Sequence, residues 1–216
     1  MANIMLQDLS AVIHGTSRYG IEYDVAHVTM LIKVDEPIAA DAQWAIPHIE
    51  DIPQKALNLI KDGKTAIYPM LKSKLRNDIS NILENIDNKN MDGLLDDIEK
   101  ALLLTSMHET NLQAIDTANC LYVVSYKYRL YPVEPNNFDF KVLLPFDGLV
   151  MSSSGRLQVT LIAPTNASIN PVVTKGEDPS TGQQFEEQVI SLSNVNKNVV
   201  TFVVQNDPLF TIRYNY

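Results

Sequence analysis

The feature that most constrains the fold is a series of period-two patterns in the C-terminal half of the chain. Large apolar residues alternate with other residues in five segments after position 119, and a sixth strand candidate carries Val189, Ile190 and Leu192. This alternation is typical of strands with one buried face. Turn signals such as Asp147-Gly148 and Asn170-Pro171 separate the segments, so we predict an antiparallel β-sandwich of six or seven short strands. The patterned residues are Tyr122, Val124, Tyr126, Tyr128 and Leu130; Phe138, Phe140, Val142 and Leu144; Leu157, Val159 and Leu161; Val189, Ile190 and Leu192; Val200, Phe202 and Val204; and Phe210, Ile212, Tyr214 and Tyr216.

The first fifty residues carry a short apolar helix candidate and one long strand candidate over 21–34. Within that strand the alternation changes phase at Ala26-His27. A slip of one residue would turn the buried face outward unless a bulge absorbs it. We therefore predict a bulge there, or two strands. Because a lone strand leaves its backbone unpaired, we expect this segment to join the sandwich.

Helical spacing dominates the middle of the chain. Apolar residues recur every three or four positions over 67–86, and a shorter helix is predicted over 54–60. A third predicted helix buries Leu94, Leu95, Ile98, Leu102 and Leu103. Three helices joined by short links predict an antiparallel cluster. The predicted fold class is therefore α+β, an antiparallel β-sandwich built from 1–50 and 119–216 with a three-helix cluster inserted at 51–118.

Charge and cysteine content narrow the function classes. The chain of 216 residues has 17 basic and 26 acidic side chains, a net charge of −9. Such a surface repels phosphate, so we expect no nucleic-acid partner and no membrane partner. Cys120 is the only cysteine, which excludes an intrachain disulfide and a cysteine zinc site. The expected compartment is a reducing cytoplasm.

Residues 88–99 resemble an EF-hand calcium loop. Oxygen-bearing side chains fall at loop positions one, three, five, nine and twelve, and Gly93 stands at position six, where such a loop turns. The alternative is a polar turn between helices with Asp92 capping the second. No other cofactor is indicated. The candidate calcium ligands are Asn88, Asn90, Asp92, Asp96 and Glu99.

Tyrosines are concentrated in two strand segments. Six of the nine tyrosines fall there, and tyrosine combines apolar area with a polar tip, which makes it common at protein interfaces. The alternative is ordinary sheet core with hydroxyl groups at the rim. The candidate interface residues are Tyr122, Tyr126, Tyr128, Tyr131, Tyr214 and Tyr216.

The last eighteen residues, 199–216, include the run Asn206-Asp207-Pro208-Leu209-Phe210-Thr211-Ile212-Arg213-Tyr214-Asn215-Tyr216. This segment resembles accessory virion proteins of tailed bacteriophages. The resemblance implies a compact β-sandwich that ends in an ordered strand. It also implies a head, collar or tail component that assembles in symmetric copies, performs no chemistry, and is built into virions in the host cytoplasm.

Together these patterns favour a non-enzymatic structural or assembly protein that binds other protein subunits and forms a homo-oligomer. Two alternatives stay open. One is a calcium- or carbohydrate-binding module that uses the loops at 146–155 or 177–183. The other is a hydrolase whose site forms only on folding, by bringing His27 or His48 to carboxylates.

Overall fold

The computed structural model describes residues 2–48, 58, 69–73, 87–104, 107–144, 148–178, 180–205 and 208–216. The described part of the chain is mostly β, with 57% of its residues in strands and 11% in helices. The strands form three sheets of seven, six and three strands. Within the described ranges no helix is both long and apolar enough to cross a bilayer.

The seven-stranded sheet contains the N-terminal strands and most of the patterned C-terminal ones. One pairing in it is parallel, between the strands at 3–14 and 150–162, and the other pairings are antiparallel. The predicted purely antiparallel arrangement is therefore wrong at this pair. In spatial order the strands are β14 (Gln188–Leu192), β15 (Lys197–Val204), β10 (Val150–Ile162), β1 (Asn3–His14), β2 (Asp24–Val34), β7 (Leu121–Leu130) and β6 (Gln113–Asp116).

The six-stranded sheet is antiparallel, and the C-terminal strand lies inside it with neighbours on both sides. A short additional strand pairs with the end of that C-terminal strand. In spatial order the sheet contains β13 (Gln184–Phe185), β12 (Lys175–Glu177), β16 (Leu209–Asn215), β9 (Asn137–Leu143) and β8 (Pro132–Glu134), and β11 (Ser168–Ile169) pairs with β16.

Three short strands form the smallest sheet, and one α-helix precedes its last strand. Two 3-10 helices are described as well, at Thr16–Tyr19 and Ser193–Val195. The three-stranded sheet contains β4 (Met70–Leu71), β3 (Trp44–Pro47) and β5 (Met107–Thr110), and the helix is α1 (Met91–Leu104).

The two larger sheets share one hydrophobic core. Alternate residues of each strand point into it, as the period-two patterns require. Phe202 of β15 meets Phe210 of β16 with ring centroids 5.0 Å apart, and Phe138 stacks on Tyr214 at 5.3 Å. All four rings are buried, so aromatic packing carries much of the contact around this core.

The predicted α+β class with a three-helix cluster is wrong. Helix α1 is the only helix of seven or more residues within the described part of the chain, and the predicted helix at 54–60 lies almost wholly outside that part. Most of the predicted helix at 67–86 lies outside it too. Of its described residues, Met70–Leu71 form strand β4 against Trp44 and Ala45, whereas Lys72 and Ser73 are helical. At Met70–Leu71, pairing with a strand that is distant in sequence outweighs the helical spacing of apolar residues.

Sheet pairings cross both predicted domain boundaries. Strand β6 lies within the predicted insertion at 51–118 and pairs with β7 in the seven-stranded sheet. Strand β3 lies within the predicted sandwich segment 1–50 and pairs with β4 and β5. The chain is thus interwoven at the positions where the sequence suggested a division.

The predicted bulge at Ala26-His27 is also wrong. Strand β2 begins at Asp24, so Ile21 and Tyr23 lie outside it, and it pairs without a break through His27 with both β1 and β7. The register shifts instead between Ile4 and Leu6 of β1, in its pairings with both β10 and β2. Gly155 fits against this shift, because a Cβ there would lie 2.4 Å from the Ile4 carbonyl oxygen. The N-terminal segment that includes this shift is a strand, and the described residues of 1–50 contain no α-helix.

Candidate assembly surface

Strand β14 forms an exposed edge of the seven-stranded sheet. It pairs with β15 on one side, and no described strand pairs with its other side. All five of its residues are exposed, including three large apolar ones: Val189 is 44% exposed, Ile190 53% and Leu192 41%. We call this strand with its unpaired side the β14 edge. Such an edge presents backbone N–H and C=O groups that another strand can pair with.

The connection from β14 to β15 holds the edge in place. The chain turns through Ser193–Val195, and Asn196 takes the left-handed conformation that closes the turn. The Ser191 hydroxyl donates to Asn198 Oδ1 at 2.8 Å, and Asn198 Nδ2 donates to the Ala167 carbonyl at 2.8 Å. The side of β14 that faces β15 is therefore fixed by both backbone and side-chain bonds.

The β14 edge lacks the features that usually prevent edge strands from pairing. Residues 188–192 contain no charged residue and no proline, and their pairing with β15 has no register shift. By contrast, β6 at the opposite edge has a register shift between Ala114 and Asp116 and carries that carboxylate. Strand β8, at an edge of the six-stranded sheet, begins with Pro132 and has a shift. Charges, prolines and bulges are common devices against edge-to-edge association.

A row of apolar side chains runs from the β14 edge across the outer face of the sheet. Ile190 lies opposite Val199 of β15, and Val199 lies opposite Ile162 of β10. Ile162 in turn lies opposite Val12 of β1. Residues directly opposite on neighbouring strands share a face and are in contact range. We call these four residues the apolar row, which ends at the exposed Ile190.

The neighbouring row on the same face is polar. Five hydroxyl side chains follow one another across β15, β10, β1, β2 and β7. The Thr29 and Ser125 hydroxyls are 3.0 Å apart, and those of Thr160 and Thr201 are 3.3 Å apart. The centre of the face is therefore suited to water, whereas exposed apolar side chains gather at the β14 edge. The hydroxyl row consists of Thr201, Thr160, Ser10, Thr29 and Ser125.

Opposite charges flank the two ends of the β14 edge. Glu186 and Glu187 precede the strand, and Lys197 lies opposite Leu192 at its far end. None of these three charged groups has an ion pair with another described residue. Lys197 lines an open pocket of about 420 Å³ together with serine and asparagine side chains. One end of the edge is thus acidic and the other basic.

The tyrosines predicted as an interface lie elsewhere. Tyr122, Tyr126 and Tyr128 are buried on the inner face of β7, and Tyr131 is buried just after it. Tyr214 is fully buried, and Tyr216 is half-buried. The structure therefore favours the alternative, sheet core, because these strand tyrosines occupy the same alternating positions as the core valines and leucines. Burial raises the pKa of Tyr126 and of Tyr128 above its usual value.

Asp24 accepts hydrogen bonds from two of these tyrosine hydroxyls. The Tyr214 hydroxyl donates to Asp24 Oδ2 at 2.7 Å, and the Tyr216 hydroxyl donates to the same oxygen at 2.8 Å. The backbone N–H of Ser17 donates to Oδ1 at 2.9 Å. This buried carboxylate joins the ends of the two large sheets, and we call it the Asp24 clasp. Burial, with the carboxylate nearby, raises the pKa of Tyr214 and of Tyr216.

The sequence contained a signal for the clasp that tyrosine content alone did not reveal. Asp24 has the same parity as Ala26, Val28 and Met30, so the alternation of β2 places it on the inner face. A buried carboxylate requires donors, and tyrosine hydroxyls in another buried strand are suitable ones. Arg18 also contacts this region, with its guanidinium 4.8 Å from the centre of the Tyr216 ring.

The calcium-loop prediction is contradicted by the position of helix α1. The helix begins at Met91, so loop positions four to twelve are helical and cannot wrap around an ion as a loop does. Asn90 Oδ1 accepts a hydrogen bond from the Gly93 N–H at 3.2 Å, so Asn90, and not Asp92, caps the helix. Asn88 and Asp92 are exposed. The side chains of Asp96 and Glu99 lie outside the described part of the chain.

The two histidines considered for a hydrolase site each lie beside another histidine in the described part of the chain. His27 packs against His14 with ring centroids 4.5 Å apart, and burial, Lys127 and His14 lower its pKa. His48 faces His108 at 6.3 Å. Across the described residues, no three His, Cys, Asp or Glu side chains come close enough together to hold a metal ion.

The loops predicted to bind a ligand also differ from expectation. Residues 150–155 of the predicted loop at 146–155 lie inside strand β10, and residues 146 and 147 lie outside the described part. In the segment 177–183, Asp178 accepts hydrogen bonds from the backbone N–H groups of Ser180 and Thr181, which makes it a local turn. Cys120 is buried, as a small apolar residue would be.

Comparisons with known proteins add no family assignment. No model of a known protein family matches the chain, and no curated protein has a significantly similar sequence.

Proposed function

We propose that this chain is a non-enzymatic structural or assembly protein that binds other protein subunits by strand addition at the β14 edge. The observation that carries the proposal is a strand with five exposed residues, apolar side chains on both faces and no protective charge, proline or bulge. Strand addition is a common mode of protein recognition, in which backbone hydrogen bonds supply affinity and side chains supply specificity.

The physical gain from adding a strand comes from two sources. Each new backbone hydrogen bond contributes about 0.5–1.5 kcal/mol net. Covering Val189, Ile190 and Leu192 removes apolar surface from water, at about 25 cal/mol for each Å². Because β14 is already fixed by β15 and Asn198, little of this gain is lost to ordering the strand.

The setting that we propose is a virion, as an accessory head, collar or tail component assembled in the host cytoplasm. The support for it is the resemblance of residues 199–216 to accessory virion proteins of tailed bacteriophages. Assembly proteins of this kind need subunit contacts and no catalytic site, which agrees with an edge strand as the candidate functional surface.

Site-specific photo-crosslinking tests the proposal. A benzophenone side chain is placed at Ile190 of β14 and, as a matched control, at Ile115 of β6, which is similarly exposed at 56%. Both variants are irradiated in the cells that produce the protein, and the adducts are identified by mass spectrometry. We expect one defined protein adduct from position 190 and none from position 115. No adduct at position 190, or the same adducts at both positions, contradicts the proposal.

A second pair of variants separates the edge from the outer face of the sheet. Val203 is 58% exposed on β15, one strand away from the edge. We expect Val203→Lys to retain the adduct formed from position 190, whereas Val189→Lys weakens it. If Val203→Lys abolishes the adduct and Val189→Lys does not, the outer face and not the edge is the binding surface.

A further inference from the structure

We infer that the partner of the β14 edge is a second copy of this chain, paired antiparallel about a two-fold axis beside Ile190. This inference rests on the proposed function and adds the identity of the partner and the register. It follows from three properties of the edge: a self-complementary strand, an apolar row that ends at the edge, and charges of opposite sign at its two ends.

The strand can pair with itself without an unfavourable contact. Ile190 is the central residue of β14, so an antiparallel pair centred on it uses all five residues. Ile190 then lies opposite the partner's Ile190, and Val189 lies opposite the partner's Ser191. Gln188 lies opposite the partner's Leu192. No charged residue faces a like charge, and each apolar residue meets a neutral one.

The register about Ile190 also joins the apolar rows of the two copies. In each copy the row runs from Val12 through Ile162 and Val199 to Ile190. When the two Ile190 side chains meet, the rows form one continuous apolar line across both sheets. A shift of one residue would instead place the Ile190 side chain on the face opposite to that of its counterpart, because side chains alternate with period two.

Charge complementarity favours the same arrangement. Antiparallel pairing brings the acidic end of each strand to the basic end of the other. The partner's Glu187 lies opposite Ser193, one strand away from Lys197 and at the mouth of the pocket that Lys197 lines. Lys197 has no ion pair among the described residues, so it is available to this carboxylate.

A two-fold contact of this kind is closed, because the same surface is used by both copies. The two seven-stranded sheets become one continuous sheet, and neither β14 edge stays open. We therefore expect a dimer and not an open filament. Pairing of five residues on each side is a small interface, so the dimer should dissociate on dilution.

Sedimentation equilibrium of the full chain tests the identity of the partner. We expect the average mass to rise with concentration from 24.2 kDa and to level off at the mass of a dimer. Ile190→Lys should lower the association constant at least tenfold, whereas Ile115→Lys on β6 should leave it unchanged. A chain that stays monomeric over the whole series overturns the inference, and so does a mass that keeps rising past the dimer.

Disulfide trapping tests the register. In a Cys120→Ala background, Ile190→Cys places two thiols opposite each other, with Cα atoms about 4.5–5.5 Å apart, within disulfide range. Val189→Cys places its two Cα atoms about 8 Å apart, beyond that range. We expect Ile190→Cys to form the disulfide dimer at least ten times faster than Val189→Cys. Mixing Val189→Cys with Ser191→Cys should restore the fast reaction.

The outcomes separate the inference from the proposed function. If Ile190→Cys does not crosslink while position 190 still gives a defined adduct with a different protein, the self-pairing is wrong and strand addition at β14 stands. If position 190 gives no adduct and the chain is monomeric, both are wrong. Equal crosslinking of Ile190→Cys and Val189→Cys overturns the register.

Discussion

Strands β7 and β14 belong to the same sheet, and both carry large side chains, but their positions in the sheet give them different roles. The tyrosines of β7 are buried between the two large sheets, whereas every residue of β14 is exposed. Tyrosine content suggested β7 as the surface for partners, and the structure uses it as core. Whether a strand can bind a partner depends on its free side and its neighbours more than on its aromatic content.

The largest expected effect is a loss of stability at high pH, because it involves the buried tyrosines of the core. The pKa values of Tyr126, Tyr128, Tyr214 and Tyr216 are raised above the usual value of 10.0, mainly by burial. Above pH 10 the unfolded chain releases phenolic protons that the native protein retains, so stability is full below this pH and falls as the pH rises above it. We expect the free energy of unfolding in urea to decline steeply there, with cooperative loss of the fold.

Tyrosinate absorbance followed with the unfolding curve checks this expectation. The buried phenols should ionise together with unfolding and not before it. Gradual ionisation near the usual pKa while the protein stays folded would mean that the tyrosines are accessible to solvent. The tyrosines of β7 would then again be candidates for a protein interface.

Removing the Asp24 clasp should have the next largest effect. Asp24→Ala leaves two tyrosine hydroxyls and the Ser17 N–H without their acceptor, at a cost of about 3 kcal/mol or more in unfolding free energy. Asp35→Ala is the matched control, because Asp35 also accepts hydrogen bonds through both carboxylate oxygens, but at an exposed site. We expect Asp35→Ala to lower the free energy of unfolding much less than Asp24→Ala does, as urea unfolding would measure.

The clasp variant also sharpens the distinction between core and edge. Asp24 lies on β2, four strands away from β14 in the sheet order. The folded molecules of Asp24→Ala should therefore associate as the unchanged protein does. If Asp24→Ala and Asp35→Ala have equal effects on stability, the clasp is not a stabilising element. If Asp24→Ala abolishes association of folded molecules, core and edge are coupled.

The smallest expected effect concerns the charges that flank β14. Glu187→Gln removes the carboxylate that approaches Lys197 of the other copy, and we expect the dimer to weaken about two- to five-fold, as for an exposed ion pair. Glu36→Gln removes an equal charge beyond the end of β2 and should leave association unchanged. Salt should weaken the unchanged dimer and have less effect on Glu187→Gln, as sedimentation would measure. If Glu187→Gln and Glu36→Gln associate equally well, the contact between Glu187 and Lys197 does not contribute to the dimer.

The sequence predicted the individual strands better than their arrangement. Alternation located β7, β9, β10, β15 and β16 and assigned their buried residues, because it depends on local geometry alone. It did not reveal that β1 runs parallel to β10, or that β14 is an edge, because both depend on pairings between distant segments.

The errors at the candidate sites have a similar origin. The spacing at 88–99 matches both a calcium loop and a capped helix, and the cap of Asn90 on Gly93 decides in favour of the helix. Adjacent Val189 and Ile190 place apolar side chains on both faces of β14, which was a local hint of an unusual strand. Its free side became apparent only with the complete sheet.

Amide hydrogen exchange over a concentration series tests the central claim most directly, because it reads the backbone groups of each edge. We expect the outward-pointing amides of β14 to become protected as the concentration rises, while those of β6 exchange at a constant rate. Exchange at β14 that does not change with concentration, or protection that develops equally at both edges, would contradict pairing at the β14 edge.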